Sequence, residues 1–228
     1  MTEVRAAPPL DDRLAADLRG FGPVGLLAML VILAGNFVVA PLSAILVLAW
    51  AHRSRTPWRE IGFVRPPIWI RDIAVGIALG VAFKFLMKSI VMPLLGADPV
   101  NQAYHYVAGN PAALPAMLYA VIIGAGFGEE TLFRGYLFER LGKLFGTTLA
   151  AKIAIVAITS LGFAVAHFTE QGVAGVEQAI VTGLALGTVF AWTRSLWPVM
   201  AAHATYDLVA LLIIYANLED SVAHLVFH

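Results

Sequence analysis

Glu129, Glu130, Arg134, His167, His203 and Asp207 are side chains able to move protons or stabilise charge, and each lies in or at the edge of a long apolar stretch. Ionisable groups cost at least ~2.5–3.5 kcal/mol each at the centre of a membrane helix, so those present face protein or water and mark candidate sites. In GFGEETLFRGYLFERL, Glu130 and Arg134 are one helical turn apart and can form a charge-assisted pair. Glu129 is rotated away from that pair. It is a carboxylate without an obvious local counter-ion, which suits a group that binds or deprotonates water. Read alone, the stretch also fits a helix end carrying solvated charges. In SLGFAVAHFTE, His167 follows Phe163 by one turn. A lone histidine there is more often a hydrogen-bonded interface residue than a ligand. In LWPVMAAHATYDLVALL, His203 and Asp207 share a face at i and i+4, a spacing that orients an imidazole, supplies two groups to one site, or makes a helix-packing hydrogen bond.

The elements that must position these groups are membrane helices. The chain is 60% hydrophobic and 13% charged, with a mean hydropathy of +0.81, beyond the mix of a soluble domain. Its net charge is zero and its pI about 7.0, so no global field points to nucleic acid. The absence of cysteine excludes disulfides, thiolate ligands and a thiol nucleophile. A hydrocarbon layer ~30 Å thick needs roughly 20 apolar residues of helix. On that length the expected fold is an all-α polytopic bundle of about six spans, near 23–50, 72–95, 112–142, 149–168, 176–193 and 197–216, with the site among the last four. The first span is a candidate for bending at Asn36 or Pro41. Residues 1–22 read as a polar, surface-lying or mobile tail, 23–216 as one integral membrane domain, and 217–228 as a C-terminal tail. The apolar run from Phe21 to Trp50 is too long for the core of a cleavable signal peptide.

Arg53, Arg55, Arg59, Arg65 and Arg71 follow the first span, Arg140, Lys143 and Lys152 surround the third connection, and Arg194 lies in the fifth. The connections near 96–111 and 169–175 carry no Lys or Arg. This bias places the Arg-rich loops in the cytoplasm, with Arg5, Arg13 and Arg19 of the leader dissenting; an N-terminal re-entrant segment would reverse that end. Measured along the helices at ~1.5 Å per residue, Glu129 and His167 lie about 21–22 Å from that interface and His203 about 14 Å, a gap that helix tilt absorbs. Three segments thus bring Glu, His and His to one layer. Lys84 and Lys88, one turn apart, either line the same cavity or snorkel outward, and snorkelling is the preferred expectation.

The motifs EETLFR, FAVAH and HATYD, in this order between Gly124 and Leu208, resemble the CAAX-protease and bacteriocin-processing (CPBP, Abi-type) family of intramembrane proteases, whose pattern is EExxxR, FxxxH and HxxxN or HxxxD. The TPWREIGFVRPP loop is similar to one common in bacterial members. The resemblance implies Glu129 as the base that activates water, His167 sharing that water, His203 and Asp207 at the oxyanion, and Glu130 with Arg134 as support. Where many members have asparagine this chain has Asp207, and an ionised carboxylate repels an oxyanion. It must be protonated, orient His203, or help bind a metal. Glu129, His167 and His203 are also the two-His, one-carboxylate set of an open site for a divalent metal such as Zn2+, so the metal-free and metalloprotease readings both stand.

The function expected is therefore hydrolysis of a peptide bond in a membrane-associated or lipidated protein or peptide, in the plasma (inner) membrane if the cell is bacterial. Two other readings compete. One is a non-catalytic scaffold or bacteriocin-immunity factor that binds a partner through the same cavity. The other is a transporter or proton channel, favoured by Lys84 and Lys88 but lacking an inverted repeat. Nucleic acid is not an expected partner.

Overall fold

The computed structural model describes residues 10–227, and among these every regular element is a helix, in agreement with the all-α expectation. The helices are α1 (Leu10–Arg19), α2 (Pro23–Gly35), α3 (Leu42–Arg53), α4 (Trp69–Leu94), α5 (Pro111–Phe145), α6 (Leu149–Thr193), α7 (Leu196–Tyr215) and α8 (Glu219–Ala223). Four of them, α4 to α7, are long and apolar enough to cross a membrane, and α1 with α2, bent by 61°, adds a fifth if the pair is one span.

The expected span at 23–50 is not continuous. It stops after Gly35 and restarts beyond Pro41, because proline fixes φ and offers no N–H to carry the ladder onward. Its halves fold against each other, held by the Ser43 hydroxyl donating to the Ile32 carbonyl at 2.8 Å. The 45-residue α6 also doubles back. Gly172 has φ 61° and ψ −152°, a conformation that glycine adopts at no steric cost. Beyond it Gly183 lies so near Ser160 that a Cβ would fall 2.9 Å from the serine Cβ, and Gly187 lies against Val156. The two arms correspond to the stretches 149–168 and 176–193 that the hydropathy pattern separates.

The polar leader is helical from Leu10 onward and fixed to the body. The Trp50 indole donates to the Leu18 carbonyl at 2.9 Å, and the Arg140 guanidinium to that of Arg19 at 2.7 Å. Residues 1–9 lie outside the described residues, so the tail reading bears there only on the sequence. At the other end, α8 packs back on α4, with Ser89 donating to the Val222 carbonyl at 2.9 Å.

The most extensive helix contact is between α4 and α7. Helices in a bilayer gain nothing from hiding apolar surface from water and associate instead where small residues let backbones approach. Here Gly76 and Gly80 form such a stripe: a Cβ at Gly76 would lie 2.5 Å from the Pro198 carbonyl oxygen, and one at Gly80 2.4 Å from that of Ala202. Lys84 is the next residue on this stripe. Its face is turned to α7 rather than to lipid, so it has no route by which to snorkel, contrary to the preferred expectation; it is buried, with its ammonium over the Tyr206 ring. Lys88 also turns inward, donating to the Pro99 carbonyl and lying 3.8 Å from Glu219.

The glycine stripe carries a prediction. Gly80→Leu drives a side chain into the α7 backbone and is expected to cost at least about 1–3 kcal/mol, the usual range for overpacking. Gly142→Ala, where a Cβ meets nothing within 4 Å, is the control. Thermal unfolding in detergent should separate the two, and equal midpoints would show that the α4–α7 contact is not a close one.

Candidate active site

The wall of the site is the middle of α5. Glycines 124, 126 and 128 keep this stretch narrow: a Cβ at Gly126 would fall 2.8 Å from that of Ala204 on α7, and one at Gly128 3.0 Å from that of Pro41. Neighbouring elements therefore close directly onto the two glutamates that follow. The backbone is also locally widened, with π-helical hydrogen bonding over Ala120–Glu129 and Thr131–Tyr136. Such turns are rare and concentrate at functional sites.

Glu130 points away from solvent and is fully buried. One of its oxygens, Oε1, accepts from Arg134 Nη1 at 2.7 Å and from His203 Nδ1 at 2.6 Å. Two charge-assisted bonds on one oxygen make it a joint between α5 and α7. The Arg134 guanidinium lies over the Phe163 ring, 4.6 Å from its centroid, with α6 closing the third side. Glu129 is placed otherwise. Its side chain keeps 26% of its surface exposed, and its Oε2 accepts no hydrogen bond. His203 Nε2 lies 3.8 Å from it.

His203 is buried and presents Nε2 to two carboxylates, Glu129 at 3.8 Å and Asp207 Oδ2 at 3.6 Å. His167 directs Nδ1 to the Phe163 carbonyl at 2.8 Å. A carbonyl only accepts, so Nδ1 carries a proton, and in the neutral tautomer Nε2 is the acceptor. Phe163 orders the group: its ring centroid lies 4.5 Å from that of His167 and 5.8 Å from that of His203.

Glu129, His167, His203 and Asp207 line one cavity of about 800 Å³, while Glu130 and Arg134 stand behind its wall. Among the described residues no group of three or more His, Cys, Asp or Glu side chains is arranged to hold a metal ion. Both imidazoles, His167 and His203, are bonded to protein through Nδ1.

The cavity also holds groups that motif spacing does not reveal. Tyr104, in the connection between α4 and α5, receives a bond from Gln171 Nε2 and donates to Glu170 Oε2, each at 3.4 Å. Burial, with the Glu170 carboxylate beside it, pushes the phenol above its ordinary range, so it remains a donor. Glu219 of α8 is buried and accepts from the Asn101 backbone N–H at 2.8 Å, with His105 Nδ1 3.3 Å away. It ties the same connection to the C-terminal helix. Nothing in the local sequence around Tyr104 or Glu219 signals this, since both act across long separations.

Residues 111–209 match the family model of the type II CAAX prenyl endopeptidase, Rce1-like. This segment is Rce1-like. It runs from the start of α5 into α7 and carries all three motifs, in agreement with the resemblance to the CAAX-protease and bacteriocin-processing family. Endopeptidase is the activity named in the description of the family that this segment matches. The chain is an integral membrane protein, as its apolar helices require. α4, with Lys84 and Lys88, lies outside the match. No match was found among curated proteins or among solved structures.

Proposed function

We propose that the chain is an intramembrane endopeptidase that hydrolyses a peptide bond of a lipidated or membrane-anchored protein with a water activated by Glu129. The observation that carries this reading is the unpartnered Glu129 Oε2 at the wall of a cavity that two imidazoles also face. A buried carboxylate oxygen without a donor is costly unless something supplies one, and water is the smallest molecule that does.

The reading assigns each residue a step. Glu129 takes a proton from the water while its oxygen attacks the scissile carbonyl carbon. His167, held by its Nδ1–H bond to Phe163, accepts a hydrogen bond at Nε2 from the hydrogen the water keeps and so sets its direction. The tetrahedral oxyanion is met by His203 Nε2–H. Because His203 Nδ1 donates to Glu130, this requires both ring nitrogens to be protonated, and the acidic neighbours Glu130 and Asp207 offset that charge. Asp207, 3.6 Å from Nε2, then holds the imidazolium toward the cavity instead of touching the oxyanion itself. As the C–N bond breaks, Glu129 returns its proton to the leaving amine. Glu130 and Arg134 keep α5 and α7 in register throughout. No step is routed through a metal.

The test is a peptidase assay on the purified chain with a prenylated CAAX peptide and a peptide bearing a different lipid anchor, products identified by mass. Cleavage is expected to persist in chelator and to fall by about 10²-fold or more in His167→Ala, the lower range for a group that positions a proton transfer. Loss of cleavage on chelation would overturn the metal-free mechanism. Absence of cleavage of either peptide, with the biological activity unchanged in His167→Ala, would favour a scaffold or immunity role.

A further inference from the structure

Resting on the peptidase reading above, we infer that the substrate reaches the site from the extracytoplasmic side, as an exported protein or peptide held by its anchor in that leaflet. The cavity opens at one end only of the helix bundle. Its lining takes in Asp98, Gln102 and Tyr104 of the α4–α5 connection, Thr169 and Glu170 at the bend of α6, and Glu219 of α8. Asp98, Gln102, Thr169 and Glu170 are exposed, so the mouth is here. No residue between 130 and 162 or between 183 and 202 lines it. Behind Glu129, the side chains of Glu130, Leu132, Arg134 and Tyr136 are fully buried and close the opposite end.

Charge decides which end faces the cytoplasm. The Arg-rich loops lie together at the closed end, with Lys143 3.8 Å from Glu60 and the Leu196 N–H donating to the Gly62 carbonyl at 2.9 Å. The leader joins them because α2 and α3 do not cross. With 13 and 12 residues they reach only about 18–20 Å each, short of a hydrocarbon layer ~30 Å thick. They form a re-entrant hairpin. Its tip stops against the middle of α5, where Tyr119 donates to the Ala40 carbonyl at 3.0 Å and Pro41 packs on Gly128. Its feet are tied at the closed end by the bonds from Trp50 to Leu18 and from Arg140 to Arg19. Arg13 and Arg19 therefore agree with the loops instead of dissenting. Among the described residues every Lys and Arg lies at the closed end except Lys84, Lys88 and Arg134, which turn into the bundle. The open end carries Asp98, Glu170, Glu219 and Asp220 and no exposed Lys or Arg. Short loops rich in Lys and Arg stay in the cytoplasm, so the mouth is on the other side. A tail presented from the cytosol meets the buried end of the bundle, whereas one already carried across the membrane meets the mouth.

The chain has no cysteine, so single cysteines report sidedness. The full chain is placed in right-side-out and inside-out membrane vesicles and given a membrane-impermeant thiol reagent, or a lipidated peptide whose charged tail keeps it in the leaflet to which it is added. Ala112→Cys at the start of α5, Thr169→Cys at the mouth and Ala210→Cys within the cavity should label in right-side-out vesicles. Ala16→Cys and Thr147→Cys should label only in inside-out ones. The peptide should be cut by right-side-out vesicles, and by inside-out vesicles only once detergent is added. Cleavage by intact inside-out vesicles, or Thr169→Cys and Ala210→Cys left unlabelled in right-side-out ones, would overturn the inference and leave the peptidase reading intact. Labelling of Ala16→Cys from the same side as Ala112→Cys would remove the re-entrant hairpin and the assignment with it. If neither preparation cuts the peptide in detergent, the peptidase reading fails; labelling of Ala210→Cys from right-side-out vesicles would still sustain the outward mouth, and labelling from inside-out ones would overturn it.

Discussion

Glu129→Gln is expected to lower kcat by about 10²–10⁴-fold, the range over which a positioned general base contributes, with little change in KM or in thermal midpoint. The substitution keeps the shape of the side chain and its place at the cavity wall but removes the proton acceptor. Because Glu129 Oε2 has no hydrogen bond to lose, folding stability should barely change. The adjacent Glu130→Gln is the informative comparison. It lies at the next position yet bonds Arg134 and His203, so its loss should appear first as instability and only through that as reduced turnover. The measurement is kcat, KM and unfolding midpoint for both variants. A Glu129→Gln chain with wild-type turnover would remove Glu129 from the chemistry.

The second large effect belongs to Arg134. Arg134→Met leaves the fully buried Glu130 with a single cationic partner, and breaking a buried ion pair from one side typically costs about 3–5 kcal/mol. The penalty is that of an uncompensated charge. It follows that Glu130→Gln combined with Arg134→Met should be less destabilised than the sum of the single variants, a coupling visible in a double-mutant cycle. Simple additivity in chemical unfolding would mean that the pair is not coupled at 2.7 Å as placed.

What could be read from the sequence was what acts within one helix. Glu130 with Arg134, and His203 with Asp207, are neighbours by helical geometry alone, and the apolar runs of α4 to α7 are long enough to declare themselves. What could not be read depends on how helices rotate against one another. Lys84 looked free to reach lipid until Gly76 and Gly80 turned its face onto α7. Those glycines were visible, but a helix contact requires a partner whose position local sequence does not encode. The bond from His203 to Glu130, 73 residues apart, is of the same kind, as is the hold of Glu219 on the connection that carries Tyr104 and His105. The break between α2 and α3 was foreshadowed by Asn36 and Pro41, while their folding against each other was not.

The widened turns of α5 have a consequence for how this wall tolerates change. A π turn holds one residue more than the α-helical path needs, so α5 carries slack in its residue count between Ala120 and Tyr136. Removing a single residue there would let the helix relax to its ordinary pitch without breaking. The residues on either side of the deletion would keep their register, because the widened turn had already absorbed the extra residue. In the α-helical turns beyond Tyr136 there is no such slack, and losing one residue turns everything on one side by about 100° relative to the other. The wall of the site is thereby more forgiving of a lost residue than the ordinary helix that follows it.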